Sequence, residues 1–360
     1  MNQLSKHSTA VLRTACAIVF VLFTFSFLFY YQADLLAYTQ HVLSKGRTHY
    51  DATIGAVLIT VVLTLISFGV WSATKLDKEF HSLVYFPSLL LLTMMTSAHP
   101  VSQTQLLFPS WLWLVPVLLV GYVVFIAIHK QYQRIDPSPG HTHHLMRVAW
   151  INITTLALMF LFVGLLSNHN NVIHYRLQTE RLIKERRFHE ALLVGKKSPD
   201  TDESLTMLRI FALSASHQLP EKLFTYPLKG ASKAMTPKPG AACPLLLPAK
   251  IFSMQASRHA TDYQLCRALL DKDIDRFAQL ALAHRLVNDS TKLPRHYAEA
   301  LTLYTHLRSN PLIVYKNNVR ETDYNDFQKV DRETADERER KNRLHDVFGN
   351  TYWYYYQYSD

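Results

Sequence analysis

The feature that most constrains this chain is a set of four long intervals containing no Asp, Glu, Lys or Arg: 20 residues after Arg13, 23 after Asp51, 50 after Glu79 and 28 after Arg147. A water-soluble helix needs a polar face, whereas a bilayer core ~30 Å thick is crossed by about 20 mainly apolar residues. All four intervals begin within residues 1–170, which hold nine Lys/Arg and five Asp/Glu; residues 171–360 hold 29 and 23. The mean hydropathy of -0.01 therefore averages two solvents. The predicted architecture is all-α, with multi-pass transmembrane helices over 1–169 and a soluble helical domain over 170–360. Three cysteines exclude a disulfide-built scaffold.

About five spans are expected: 14–31, 53–73, 82–98, 111–128 and 148–167. The first ends in aromatics suited to a membrane interface, and its length and lack of a small-residue cleavage site argue against a signal peptide. The 50-residue run is too long for one helix and is broken at His99-Pro100 and Pro109, hence two spans. In the last span Asn152, Thr154 and Thr155 are expected to serve helix-to-helix contacts. No span carries a charge at mid-depth, which disfavours a transporter. The basic residues Lys6, Arg13, Lys75, Lys78, Lys130, Arg134 and Arg147 fall on one face and only Lys45 and Arg47 on the other, which places the N-terminal end inside. Five crossings then put 170–360 outside, in a bacterium the periplasm, with the inner membrane as the location.

The second half reads as helical. Only Gly195, Gly230, Gly240 and Gly349 occur there, too few for hairpin turns or phosphate loops, and helix starts are marked by Asn170-Asn171, Ser198-Pro199-Asp200, Thr261-Asp262 and Pro294. A Pro-, Gly- and Lys-rich loop is expected over 229–248. The strings Phe188-His189-Glu190-Ala191-Leu192 and Tyr297-Ala298-Glu299-Ala300-Leu301 share aromatic-x-Glu-Ala-Leu, the pattern of a tetratricopeptide helix pair. In that pattern Ala191 and Ala300 allow close approach, while Phe188, Leu192, Tyr297 and Leu301 fill the groove between helices; an irregular bundle is the other arrangement the string allows. Cys243 and Cys266 are compatible both with a disulfide and with two free thiols, and Cys16 with a small apolar filler in a span.

The strings YPLKG (226–230), LPRHYAEALTLY (293–304), NPLIVYKNN (310–318) and NTYWYYYQY (350–358) resemble an uncharacterised bacterial family of multi-pass membrane proteins with a C-terminal helical-repeat domain of unknown function. The resemblance is most specific over about 290–360. It implies an envelope protein of a Gram-negative bacterium and carries no activity with it.

No nucleotide-binding glycine motif, nucleophile elbow, zinc-protease motif or Cys-x-x-Cys pair is present. His141, His143 and His144 are read as a solvated loop, with no metal or other cofactor expected. The loop 32–52 gathers Asp34, His41, Arg47, His49 and Asp51 at the outer face. A carboxylate there could serve as general base in a transferase acting on a lipid-linked sugar, with cationic neighbours for the leaving phosphate; a water-exposed connection would contain the same residues. The net charge of +10 comes without a Lys/Arg footprint interleaved with aromatics, so no nucleic-acid partner is expected. The expected function is non-enzymatic: a membrane anchor in the lipid bilayer carrying a helical domain that binds another envelope protein, with the transferase as the alternative.

Overall fold

The computed structural model describes residues 2–108, 110–135, 145–286 and 293–359. Among the described residues the regular structure is helical apart from one short antiparallel hairpin, β1 (His99–Ser102) and β2 (Gln105–Leu107), in which His99 faces Leu107. It divides into two units, Met1–Asn170 and Asn171–Asp360.

In the first unit α1 (Asn2–Ser26) runs into a π-helical turn, Phe27–Tyr31, followed by α2 (Ala33–Leu43), α3 (Ala52–Thr74), a 3-10 segment (Lys78–Tyr85), α4 (Phe86–Thr96), the hairpin, α5 (Trp111–Ile135) and α6 (Leu145–Leu166). Four of these helices are long and apolar enough to cross a membrane, with spans Ala10–Tyr31, Ala52–Thr74, Trp113–Gln131 and Met146–Leu166. Their surface is inverted relative to a soluble bundle. Leu22, Ile54, Leu58, Leu65, Val120, Val123 and Leu165 are exposed. Burying so many apolar side chains is the main driving force of folding in water, so an apolar exterior of this extent fits hydrocarbon as its solvent. The interior holds Cys16, Phe20, Leu28, Leu63, Leu92 and Val163, and Phe23 stacks on Phe160 with ring centroids 3.9 Å apart.

The expected third span, 82–98, differs from the other four. It is a 3-10 turn joined to an 11-residue helix, and 11 residues rise only ~16 Å. Its side chains are enclosed by neighbouring helices: Leu89, Leu90, Leu92, Thr93 and Thr96 are buried. It nevertheless follows α6 over that helix's length. Near its start the Ser82 N–H donates to Asn152 Oδ1 (2.7 Å) and Asn152 Nδ2 donates to the Lys78 carbonyl (2.8 Å). At its end the Asn168 N–H donates to the Thr96 carbonyl and Asn168 Nδ2 to the Ala98 carbonyl, both at 2.8 Å. These bonds satisfy backbone groups where helical pairing stops, which a low-dielectric surrounding demands. Of the polar residues expected to join helices, Asn152 does so, Thr155 bonds its own helix at the Ile151 carbonyl, and Thr154 is exposed.

The second unit contains α7 (Asn171–Lys184), α8 (Phe188–Ala191), α9 (Glu203–Ala215), α10 (Leu219–Lys222), α11 (Ala249–Arg258), α12 (Ala260–Leu270), α13 (Ile274–Ala283), α14 (Arg295–Leu307), α15 (Asn318–Glu333), α16 (Glu337–Phe348) and α17 (Tyr352–Tyr358). Side-chain caps open several of them. Asp202, Asp273, Asn317, Asp336 and Thr351 each accept a backbone N–H from the first turn. From α11 to α17 each helix packs on the next, and α17 also returns to α14. The two aromatic-x-Glu-Ala-Leu strings sit differently: 188–191 form a single turn, whereas 297–301 lie inside a 13-residue helix. In both, the alanine and leucine are buried in one continuous core, with Ala191, Leu192, Tyr297, Ala300 and Leu301 at most 4% exposed and Phe188 packed against them.

Residues 229–248 contain a 3-10 turn, Ala231–Met235, and are pinned down along their length. The Lys229 N–H donates to Thr206 Oγ1, the Cys243 N–H to Ser204 Oγ, and Arg176 donates to the Cys243 carbonyl. Cys243 and Cys266 are free thiols in this structure. Cys266 is fully enclosed, its Sγ 3.7 Å from Tyr297 Oη.

Candidate functional site

The charged loop between α1 and α3 is mostly structured. Asp51 caps α3, its Oδ1 accepting the Thr53 and Ile54 N–H groups at 2.9 and 2.8 Å. Asp34 lies in the first turn of α2 and His41 in its last. Gly46 adopts φ +75°, and a Cβ there would stand 3.2 Å from the His41 ring, so this turn favours glycine. Arg47 and His49 are exposed. The geometry thus explains Asp51 as a helix cap. His141, His143 and His144 lie outside the described residues. Among the described residues no three His, Cys, Asp or Glu side chains come together as metal ligands.

Two buried carboxylates in the second unit were not singled out by sequence reasoning. Glu180 accepts three successive backbone N–H groups, from Leu245 (2.8 Å), Leu246 (2.6 Å) and Leu247 (3.0 Å). Burial pushes its carboxyl up, against the pull of those three donors and the Arg176 charge. Glu299 receives Arg295 Nε at 2.8 Å, His296 Nδ1 at 2.9 Å and the Tyr352 N–H at 2.8 Å, while its backbone carbonyl accepts Trp353 Nε1 at 2.8 Å. Burial opposes its ionisation, but the hydrogen bond from His296, then the Arg295 charge and the Tyr352 amide, hold it below the ordinary carboxylate value. His296 has its other nitrogen, Nε2, 3.4 Å from the Phe224 N–H it accepts. Both sites fasten chain segments together: Glu180 the 229–248 segment, Glu299 the aromatic C-terminal helix. The spacing Arg295-His296-x-x-Glu299 on one helix face was the available signal for the second.

Among the grooves that open on this unit, two are the most relevant to binding. One, about 720 Å³, is walled by Lys196, Lys197, residues 224–228, residues of α16, Tyr354 and Tyr355. The other, about 540 Å³, lies among α7, α8, α9 and α11, and its walls carry Lys184, Arg186, Arg258, His217 and His259 together with Phe188, Phe211, Ile251 and Met254. Among the described residues, no acid lines this second groove. Lys184, Arg186 and Arg258 are exposed, and Met254 at its edge is 46% exposed. An apolar floor rimmed by one sign of charge is suited to an apolar segment bearing carboxylates.

The fold and these surfaces define an all-helical chain with membrane-spanning character in its first half and a groove-bearing helical unit in its second. Residues 243–359 match a family of unknown function, DUF6057, over most of that second unit. No curated protein and no solved structure matches the chain.

Proposed function

We propose that the chain is a membrane-anchored interaction protein of a bacterial envelope, whose 171–360 unit stands on the periplasmic side of the inner membrane as a tetratricopeptide-like stack and binds a segment of another envelope protein. The observation that carries this reading is the groove walled by Phe188, Phe211 and Met254, which three basic side chains surround and, among the described residues, no acid lines. Its preferred occupant is an acidic segment with apolar anchors. The excess of basic residues at one end of the bundle supports the orientation. A photo-cross-linker at Met254 in living cells tests the proposal. Adducts with a defined envelope protein, lost when Arg186 and Arg258 are changed to Glu, are expected. Adducts that persist in the charge-reversed variant, or none that exceed those from a cross-linker at exposed Val347, would overturn it.

A further inference from the structure

A second feature lies in the membrane unit, at the end of the bundle where Lys75 and Lys78 emerge. A cavity of about 300 Å³ opens between α1, α3 and the 3-10 segment, with Arg13, Trp71, His81 and Tyr85 in its walls. The Arg13 guanidinium sits over the Trp71 ring, 5.2 Å from its centroid. Arg13 Nε and His81 Nδ1 are both buried without a hydrogen-bond partner, and His81 is only 5% exposed. Arg13 is half-buried, but its Nε and the His81 imidazole nitrogen are shut off from water, which is costly unless an acceptor joins them. The lining is otherwise mainly apolar, and two of its residues, Thr14 and Phe68, are exposed on the outside of the bundle, so the cavity opens sideways. Trp71 lies in the last turn of α3, the depth at which tryptophan marks a membrane interface.

We infer that this cavity binds the headgroup phosphate of an anionic phospholipid, Arg13 and a His81 N–H donating to phosphate oxygens while the acyl chains leave past Phe68 along the bundle. Basic pockets between helices on the cytoplasmic side have the chemistry for such headgroups, and an arginine fork suits phosphate oxygens. The inference rests on the bundle standing in a bilayer, and is independent of any protein partner.

The test uses the full chain purified in a neutral detergent and titrated with phosphatidylglycerol, with retained lipid counted by native mass spectrometry. One retained lipid is expected for the wild type, and retention about tenfold weaker for Arg13→Gln, the loss of one charge-assisted contact. Ala17→Phe, which fills the cavity without changing charge, should weaken it as well, while Lys75→Gln at the same face but outside the cavity should match the wild type. Circular dichroism confirms that each variant is folded. Equal retention of phosphatidylcholine, or equal loss in Lys75→Gln, would show a general surface effect and overturn the site. Competition by millimolar inorganic phosphate would assign the pocket to free phosphate and overturn the lipid. If the variants all partition into membranes but retain lipid alike, the site fails while the membrane reading stands.

Discussion

Gln32 and Asn168, 136 residues apart, meet at one end of the helical bundle: Gln32 Nε2 donates to the Asn168 carbonyl at 3.2 Å. Gln32 is the first residue beyond the π turn that ends the first apolar span, and Asn168 follows α6 by two residues. The chain therefore leaves the bundle at the end that α1 reaches, opposite the end where α1 begins.

It leads to a labelling pattern. In a Cys243→Ser background, cysteines introduced at Arg47 and Asn170 should react with a membrane-impermeant maleimide in intact spheroplasts, whereas one at Lys78 should react only after permeabilisation. Asn170 behaving like Lys78 would put the second unit on the opposite face from the one proposed.

Glu299 ties three segments together, so its removal should be felt beyond α14. Glu299→Gln keeps the shape but weakens the contacts to Arg295 and His296, and is expected to cost about 3 kcal/mol, the scale for breaking a buried pair. The pH dependence has a definite sign. A carboxyl whose folded pKa lies below its ordinary 4.5 contributes stability that is full above that value and is lost as pH falls through the lower, folded value. Thermal unfolding of the full chain in detergent between pH 7 and pH 3 should show the wild type losing more of its stability than the variant; parallel curves would remove Glu299 as the cause.

The membrane half was legible from its charge-free runs because hydrocarbon excludes ionised side chains whatever the tertiary arrangement. Four spans follow directly. The 82–98 segment differs from these four in being enclosed by its neighbours, with Leu92 at 0% exposed, and composition does not distinguish lipid-facing from protein-enclosed apolar residues. In the second half the caps and breakers predict helices and a loop over 229–248, but not what holds that loop in place. Its anchors, Glu180 and Ser204, are ordinary helix residues whose role depends on a partner 65 and 39 positions away. The strings LPRHYAEALTLY and NTYWYYYQY, about 50 positions apart, are joined by Glu299 to Tyr352 and Trp353, a relation no local pattern carries.

The cysteines give a direct check on the second unit's core. Burial pushes the Cys266 thiol up to about 12, leaving almost no thiolate near neutral pH, whereas Cys243 is half-buried. Maleimide should therefore modify Cys243 in the folded protein and Cys266 only in denaturant, with no need for reductant. A gel shift on reduction after thiol blocking would instead reveal a Cys243–Cys266 bridge and require this region to repack.

Asp51 separates the two functional readings of the loop between α1 and α3. As the cap of α3 it should be replaceable by Asn, which accepts the same N–H groups, while Asp51→Ala should cost ~1 kcal/mol of stability. A general base behaves differently, because Asn cannot take up a proton. The double variant Asp34→Asn with Asp51→Asn should therefore fold normally and keep its cross-linking at Met254. Folded protein that has lost its cellular function in this variant, with partner capture unchanged, would favour the transferase chemistry and displace the interaction role as the chain's main task.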